Sequence, residues 1–463
     1  MNRVLTIDIN GELVNLLDGT CVDYASISNE STIRRISEAY CGNLSDYSNE
    51  VFINLFVKKM EWLSLIDKKD HVKLSSHVGL DGYIWNDIVR LRTGVNISLV
   101  RSMIMCAVSF ISLFVCSLGF PFFCAAKSLL AKTTVFELGA RFSIVRSEAS
   151  YEKIGAVSQQ LSIVMLSEDV TYRNHTLSSV FSYVSTPNLI KAIPTIIYRA
   201  FVEYGLLRKE LHRYFGARCT QYFMCRYAPR IVLKCCFEEL LINILKQHAS
   251  DLVTGNKEDR FAMVEKRIAE KFGRTLICIP HGLEYSYRFP GGLAGDEFYC
   301  TSENSANVLR QVYSSEAFVF DSYLNQSIYG GLKGSERLGS SRQVIFFTEP
   351  RNIQVNRRII KALIDTGVPF GIKLHPNDRS SNYSDSSLFY VDTLKESLLY
   401  PVCISRKSTI LLNATCLGHC ALSVLIDSKD YFYANYVFPS LSHPGIKKLV
   451  SEEELKTALK EFF

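Results

Sequence analysis

The sequence predicts an α/β protein of two domains, at least one of them built on a parallel, Rossmann-like sheet. Three observations carry that class. In the last third of the chain, short apolar runs of β character alternate with stretches of helical spacing, the pattern of successive β-α-β units. The length of 463 residues allows two or three domains at about 150 residues each, and two is the expected count. Hydrophobic residues make up 48% and charged residues 21%, with no low-complexity tract, so the chain can bury a large core and is not disordered.

Taken in order, the N-terminus MNRVLTIDINGELVNLLDG opens with a strand-like run at 4–9. Its apolar stretch is broken by Asp8 and Glu12, so a secretory signal is not expected. Further strand-like pieces fall at 161–165 and 275–279, and 228–247 has apolar residues at helical spacing. The first domain is expected over 1–330, with a hydrophobic insertion at 102–130. The Gly-rich stretch YGGLKGSERLG at 329–339 is the candidate linker, and the second domain is expected over 331–463. There the strands are expected at 343–347, 370–374, 388–391, 402–404 and 421–426. Helices are expected at 357–364, ended by Gly367, at 393–399, and at 410–417, ended by Gly418. Ser451 and Glu454 stand in a capping-box arrangement ahead of a final helix.

The insertion departs from the soluble pattern. Residues 102–126, SMIMCAVSFISLFVCSLGFPFFCAA, contain no charged residue and are long enough to cross a bilayer. Basic residues flank both ends: Arg90, Arg92 and Arg101 before, Lys127, Lys132, Arg141 and Arg146 after. That distribution favours both ends on the cytoplasmic side. Three readings stand: a re-entrant or monotopic insertion turned at Gly119-Phe120-Pro121, a buried core helix, and a true span.

The formal charge of +6 is spread along the chain, which implies no nucleic acid and is compatible with anionic substrates or an anionic membrane surface. The fourteen cysteines are scattered with no CxxC pair, several in apolar runs, and read as small buried hydrophobes of a reducing cytosol.

The chemistry-bearing stretch is GIKLHPND. Pro376 cannot donate to a ladder and holds His375 extended, so the strand stops there and the imidazole sits at its carboxyl end, the edge where open parallel sheets bind ligands. Lys373, on the strand, is equally consistent with a solvated edge residue. One β-α unit further on, SRKSTILLNATCLG places Ser405, Ser408 and Thr409 at a helix start, as N-cap residues or as an anion site. His375 and this helix start can bracket a phosphate. Glu349, at a strand end before Pro350, is a candidate for the same site or a loop carboxylate. In LICIPHG, His281 repeats the strand-end placement ahead of Gly282.

The KLHP motif followed by SRKSTILLNATCLGH resembles the nucleotide-binding domain of bacterial GT-B glycosyltransferases of surface-polysaccharide synthesis. The sialyltransferase, polysialyltransferase and Kdo-transferase groups share an HP motif and a later Ser/Thr motif. The likeness covers 344–426, with further support from IPHGLEYS at 279–286. It implies a GT-B-like fold of two Rossmann-like domains facing a cleft, no cofactor, and a CMP-sugar donor of sialic acid or a related keto sugar. His375, Ser408 and Thr409 would contact the donor phosphate. The acceptor would be a glycan or glycolipid of the capsule, O-antigen or lipooligosaccharide at the inner membrane surface, on its cytoplasmic side. The acidic pair followed by glycine that supplies the base in the polysialyltransferase type is not recognisable here, nor is an E-x7-E pattern or a DxD metal motif. A metal-independent, inverting enzyme is therefore expected. His281 is the candidate base, with Glu238, Glu239 and Glu284 as alternatives. A similar His-Gly occurs in teichoic-acid polymerases that use CDP-glycerol, which is the second reading. A non-catalytic membrane-associated assembly subunit is the third.

Overall fold

The computed structural model describes residues 3–7, 13–17, 22, 33, 40, 46–67, 69–74, 79–93, 99–131, 138–330, 343–383 and 388–462. They group into two compact units. The first takes in Met1–Val22, Arg35–His281 and Arg288–Phe298, and the second takes in Asp23–Arg34, Gly282–Tyr287 and Tyr299–Phe463. The expected class of two Rossmann-like α/β units, the first carrying a long apolar helix, is what the chain forms. The segment 299–330 clusters with the second unit, and of the candidate linker all but Tyr329 and Gly330 lies outside the described residues.

In the first unit β1 (Val4–Ile7) pairs antiparallel with β2 (Leu13–Asn15) and parallel with β3 (His71–Val72). The seven-stranded sheet is built from β4 (Arg141–Val145), β5 (Ile163–Ser167), β6 (Ser178–Ser179), β7 (Asp251–Thr254), β8 (Leu276–Cys278), β9 (Glu297–Tyr299) and β10 (Phe318–Val319), in the order β10-β9-β8-β7-β4-β5-β6; of these strands, β10 falls among the residues of the second unit. Read from β6 to β9, this is the 3-2-1-4-5-6 order of doubly wound folds, with each of these pairs parallel. The strand order therefore reverses between β4 and β7.

Helices of this unit include α1 (Leu80–Thr93), α2 (Leu99–Leu130), α3 (Glu148–Val157), α4 (Thr186–Gln247) and α5 (Arg260–Lys271). The helical spacing at 228–247 is the last third of α4, a 62-residue stretch that is two helices merged across Gly216, whose φ of 70° is left-handed. A Cβ there would also come 3.1 Å from Arg90 Nη2. The chain doubles back at this glycine, because Arg199 pairs with Glu238 and Glu239, and Lys234 Nζ lies 2.7 Å from Glu203. Asp46 and Arg267 complete the lattice: Lys234 and Arg267 both bond Asp46, and Arg267 also bonds Glu238 at 2.9 Å. Helix α2 runs unbroken through Gly119-Phe120-Pro121, so the turned, re-entrant form does not occur. Its large apolar side chains are mostly exposed, which also sets aside the buried-core reading.

The second unit holds β11 (Val344–Phe347), β12 (Phe370–Lys373), β13 (Val402–Ser405), β14 (Cys420–Val424) and β15 (Ile446–Leu449), all parallel, in the order β12-β11-β13-β14-β15. This is the 2-1-3-4-5 order of flavodoxin-like sheets, with its reversal between β11 and β13. Two buried clusters cover its faces, one around Ile345, Cys403 and Leu411, the other around Phe346, Ile404 and Leu422. Residues 388–391 do not make the expected strand. Only a parallel bridge from Tyr390 to Ile372 forms on the outer edge of β12, through the Ile372 N–H donating to the Phe389 carbonyl at 2.8 Å and the Val391 N–H donating to the Ile372 carbonyl at 2.9 Å. Gly367 caps its helix at φ 73°, and Ser451 accepts from the Glu454 N–H as the capping box expects.

The ion lattice ties three chain segments of the first unit together, so it carries a stability prediction. Burial alone would raise the Glu238 carboxyl, but the hydrogen bond from Arg267 and the charge of Lys234 bring it down to about 2. Its contribution is complete above the ordinary value of 4.5 and is lost as the pH falls from there toward about 2. Replacing Lys234 by Met leaves the buried carboxylates short of a cation. We expect a loss of about 3–5 kcal/mol in urea unfolding at neutral pH and a shallower acid limb.

Candidate functional site

Each sheet places a histidine at its carboxyl edge, and in each case the backbone fixes the imidazole tautomer. In the first unit β8 runs into Ile279-Pro280 and His281 follows. His281 Nδ1 lies 2.6 Å from the carbonyl oxygen of Gly255, in the turn after β7. A carbonyl only accepts, so Nδ1 carries the proton and Nε2 is left as a lone-pair acceptor. Nε2 has no hydrogen-bond partner among the described residues. Gly255 is required there: a Cβ would stand 2.7 Å from Ser150 Oγ, at the start of α3. Burial lowers the His281 pKa from 6.5, and Lys257 and Arg146 push the same way against the Gly255 bond and Asp259. The group is a neutral base at physiological pH.

Arg146 follows β4 on the other side of the strand-order reversal. It is buried, bidentate to Glu265 at 2.7 and 3.3 Å, and lies over the rings of Phe237 and Phe261. Its charge is thus spoken for by Glu265 and Asp259.

In the second unit the strand β12 ends at Lys373, as Pro376 requires, and His375 is half-buried just past it. The His375 N–H donates to Thr348 Oγ1 at 3.1 Å, which joins the ends of β12 and β11. The Asn377 N–H donates to His375 Nδ1 at 3.1 Å. Here Nδ1 must be unprotonated, so the neutral ring presents Nε2–H as a donor, the opposite tautomer to His281. Burial lowers this pKa also, while Glu349 and Asp378 act to raise it. Asp378 is itself held by Tyr383 Oη at 2.6 Å and Asn382 Nδ2 at 2.8 Å.

The reversal between β11 and β13 is bridged by Glu349, which accepts from the Lys407 N–H at 2.9 Å and Lys407 Nζ at 3.2 Å. Lys407 also pairs with Asp430, as does the fully buried Arg406, which further donates to the Arg351 carbonyl at 2.7 Å. Burial would raise Asp430, yet Lys407 and Arg406 hold it near 2. Thr348, Arg406, Lys407 and Asp430 were not assigned from sequence. The signal was present in Arg406-Lys407 between the two serines, since a cation following a buried strand needs a counter-ion.

The remaining assigned residues separate. Ser408 Oγ accepts from Ile410 N–H at 3.4 Å, and Thr409 is the N-cap of the short helix Ile410–Cys416 without a side-chain cap bond. Ser405 Oγ is buried and has no partner among the described residues. Lys373 Nζ donates to the Asp392 carbonyl, which ties it to the edge loop. Of the alternative bases, Glu284 is fully buried and accepts from Thr301 N–H and Oγ1 and from Ser440 Oγ, a structural anchor. Glu238 belongs to the ion lattice, and Glu239 pairs with Arg199 at 3.2 Å. Carboxylate oxygens of Asp46, Glu203 and Glu238 lie within 4.8 Å of one another, the spacing of a metal site. Lys234, Arg199 and Arg267 already occupy those oxygens, so the group does not fit a metal ion.

No protein-family model matches the chain, and no curated protein matches it. Among solved structures, the UDP-GlcNAc 2-epimerase from Methanocaldococcus jannaschii aligns with 9% identity and a TM-score of 0.39, over 69% of this chain and 92% of that one.

The electrostatics of His281 predict its titration. In an NMR titration of the imidazole its midpoint lies below 6.5. Lys257→Met removes one of the charges that depress it, so the midpoint moves up; an unchanged midpoint would remove Lys257 from the surroundings of the ring.

Proposed function

We propose that the protein is an inverting, metal-independent glycosyltransferase. It moves a sugar, sialic acid or a related keto sugar, from a CMP-sugar onto a bacterial surface glycan at the cytoplasmic face of the inner membrane. One observation carries this reading: two neutral imidazoles at sheet carboxyl edges, one with a bare Nε2 and one with an Nε2–H. Inverting transfer needs both kinds of group.

In this mechanism the acceptor hydroxyl gives its proton to His281 Nε2. The Nδ1–H bond to Gly255 steadies the imidazolium that results, in the way a triad carboxylate does. The freed oxygen attacks the anomeric carbon, and the bond from that carbon to the phosphate oxygen breaks. The electron pair stays on the phosphate of CMP, where His375 Nε2–H meets the growing negative charge. Ser408 and Thr409 supply hydroxyl donors to the same phosphate. Arg406 and Lys407 are neutralised by Asp430 and Glu349, so their part is to hold the strand ends in place. Phosphate recognition then rests on N–H and O–H donors, which hold the anionic CMP product less tightly than a bare cation pair would.

His281→Ala should lower kcat by about two to four orders of magnitude with nucleotide affinity nearly unchanged. His375→Ala should reduce kcat more than it weakens donor binding, because its bond strengthens as charge develops. Ser408→Ala or Thr409→Ala should weaken CMP binding by about 1–3 kcal/mol. Binding is read from thermal shifts with CMP, CDP, UDP and GDP, since a ligand of the folded state raises its stability. The largest shift is expected with CMP. A preference for CDP would favour transfer of glycerol phosphate from CDP-glycerol, and no shift with any nucleotide would favour a non-catalytic assembly subunit.

A further inference from the structure

Helix α2 is built inside out. The positions it buries against the protein are mostly small and partly polar: Ser109, Leu113, Ser117, Pro121, Cys124, Ala125 and Ser128, one narrow stripe at three- and four-residue spacing. Its large apolar side chains point the other way, among them Met103, Ile111, Phe114, Val115, Phe122 and Leu129, with Ile111 63% exposed. Water would favour the reverse arrangement. Small residues and hydroxyls facing a neighbouring helix are how helices associate when the surrounding medium is apolar.

The neighbour is the first half of α4, running antiparallel. Ser128 Oγ lies 2.7 Å from Thr186 Oγ1, Ser109 Oγ is 2.6 Å from Tyr204 Oη, and Arg208 Nη2 donates to Cys106 Sγ at 3.5 Å. This half of α4 turns its own apolar stripe outward through Ile190, Pro194, Tyr198, Val202 and Leu206, with Tyr198 70% exposed. Its fully outward positions carry Lys191 and Lys209, near the two ends of the stripe, and no carboxylate. Glu203 faces inward to Lys234. Lys127, with its Nζ 5.5 Å from the Phe123 ring centroid, stands at the matching end of α2.

We propose that α2 and the first half of α4 form one two-helix face that lies in the plane of an anionic lipid bilayer. This deepens the membrane-surface part of the functional reading and rests on it. An apolar face rimmed by lysines, with acidic groups turned away, complements acyl chains below anionic headgroups; a second copy of the same face would bring lysines against lysines. Crossing is disfavoured by the attachments. Both ends of α2 are tied to α4, and midway along that pairing Arg199 and Glu203 enter the ion lattice with Lys234, Glu238 and Arg267, which a spanning α2 would carry to bilayer depth.

The test uses the full chain without substrate, so its outcome is independent of catalysis. Flotation is measured with phosphatidylcholine vesicles, with and without phosphatidylglycerol. Wild type should float with the anionic vesicles. Lys191→Glu and Lys209→Glu should each weaken that partition about fivefold, and Ile111→Glu with Tyr198→Glu should weaken it by at least about tenfold. Failure of wild type to float, or lysine variants that bind as well as wild type, would overturn the proposal, as would a dimer in solution that these substitutions abolish while vesicle binding is absent. Should the glutamate variants misfold, the lysine variants still decide. Depth is read from Phe114→Trp, since Trp62 and Trp85 are buried. Quenching is expected from lipids brominated near the headgroup, and strongest quenching by bromines at the chain ends would contradict the in-plane arrangement.

Discussion

A parallel strand can be reached only through a crossover, so every strand of a parallel sheet delivers its carboxyl end to the same edge. The rest of this protein's architecture depends on that constraint. Where strand order reverses, neighbouring crossovers leave on opposite faces and the edge opens. In the first unit the reversal between β4 and β7 brings Arg146 and Gly255 to the edge, and His281 comes from the next strand to hold the Gly255 carbonyl. In the second, the reversal between β11 and β13 is spanned by Glu349 and Lys407, with His375 bonded to Thr348 beside them. Proline acts as punctuation in both: Pro280 and Pro376 stand next to the histidines and each withholds an N–H at the strand end, although the His281 N–H still reaches the Gly255 carbonyl at 3.1 Å.

Keeping those edges in register is expensive in charge. The first unit balances buried carboxylates with Lys234, Arg199 and Arg267 where α4 folds back at Gly216. The second unit balances Asp430 and Glu349 with Arg406 and Lys407. The charges of both groups are taken up in pairs, and the proposed chemistry therefore rests on the imidazoles, each hydrogen-bonded through one nitrogen. The apolar surface of α2 and α4 lies on the far side of the same fold-back, so one lattice fixes both the helix pair and the direction in which it faces.

Much of this was legible in the sequence where a residue has one physical use. HP after an apolar run stops a strand; Gly367 and Gly418 end helices in the left-handed conformation; alternating runs give a parallel sheet. The uncharged run at 102–126 was legible as unusual, but its proline was misleading. A proline two residues after a glycine reads as a bend, and in the structure the helix carries through it with α4 packed alongside. The salt lattices were not legible. Asp46, Glu203, Lys234 and Arg267 are far apart in the chain, and no local spacing reports that a fold-back at Gly216 will bring them together. For the same reason Glu238 and Glu284 read as candidate bases, although one is held by two guanidinium groups and the other by Thr301 and Ser440.

The proposed chemistry needs two imidazoles that are chemically opposite at neutral pH. Long-range proton–nitrogen NMR of histidine-labelled protein at about pH 8, where both rings are neutral, reads this directly, with His281→Gln and His375→Gln used for assignment. The account predicts His281 protonated at Nδ1 with a bare Nε2, and His375 protonated at Nε2 with a bare Nδ1. Finding the two rings in the same tautomer, or His281 protonated at Nε2, would contradict the division of labour on which the proposed chemistry stands.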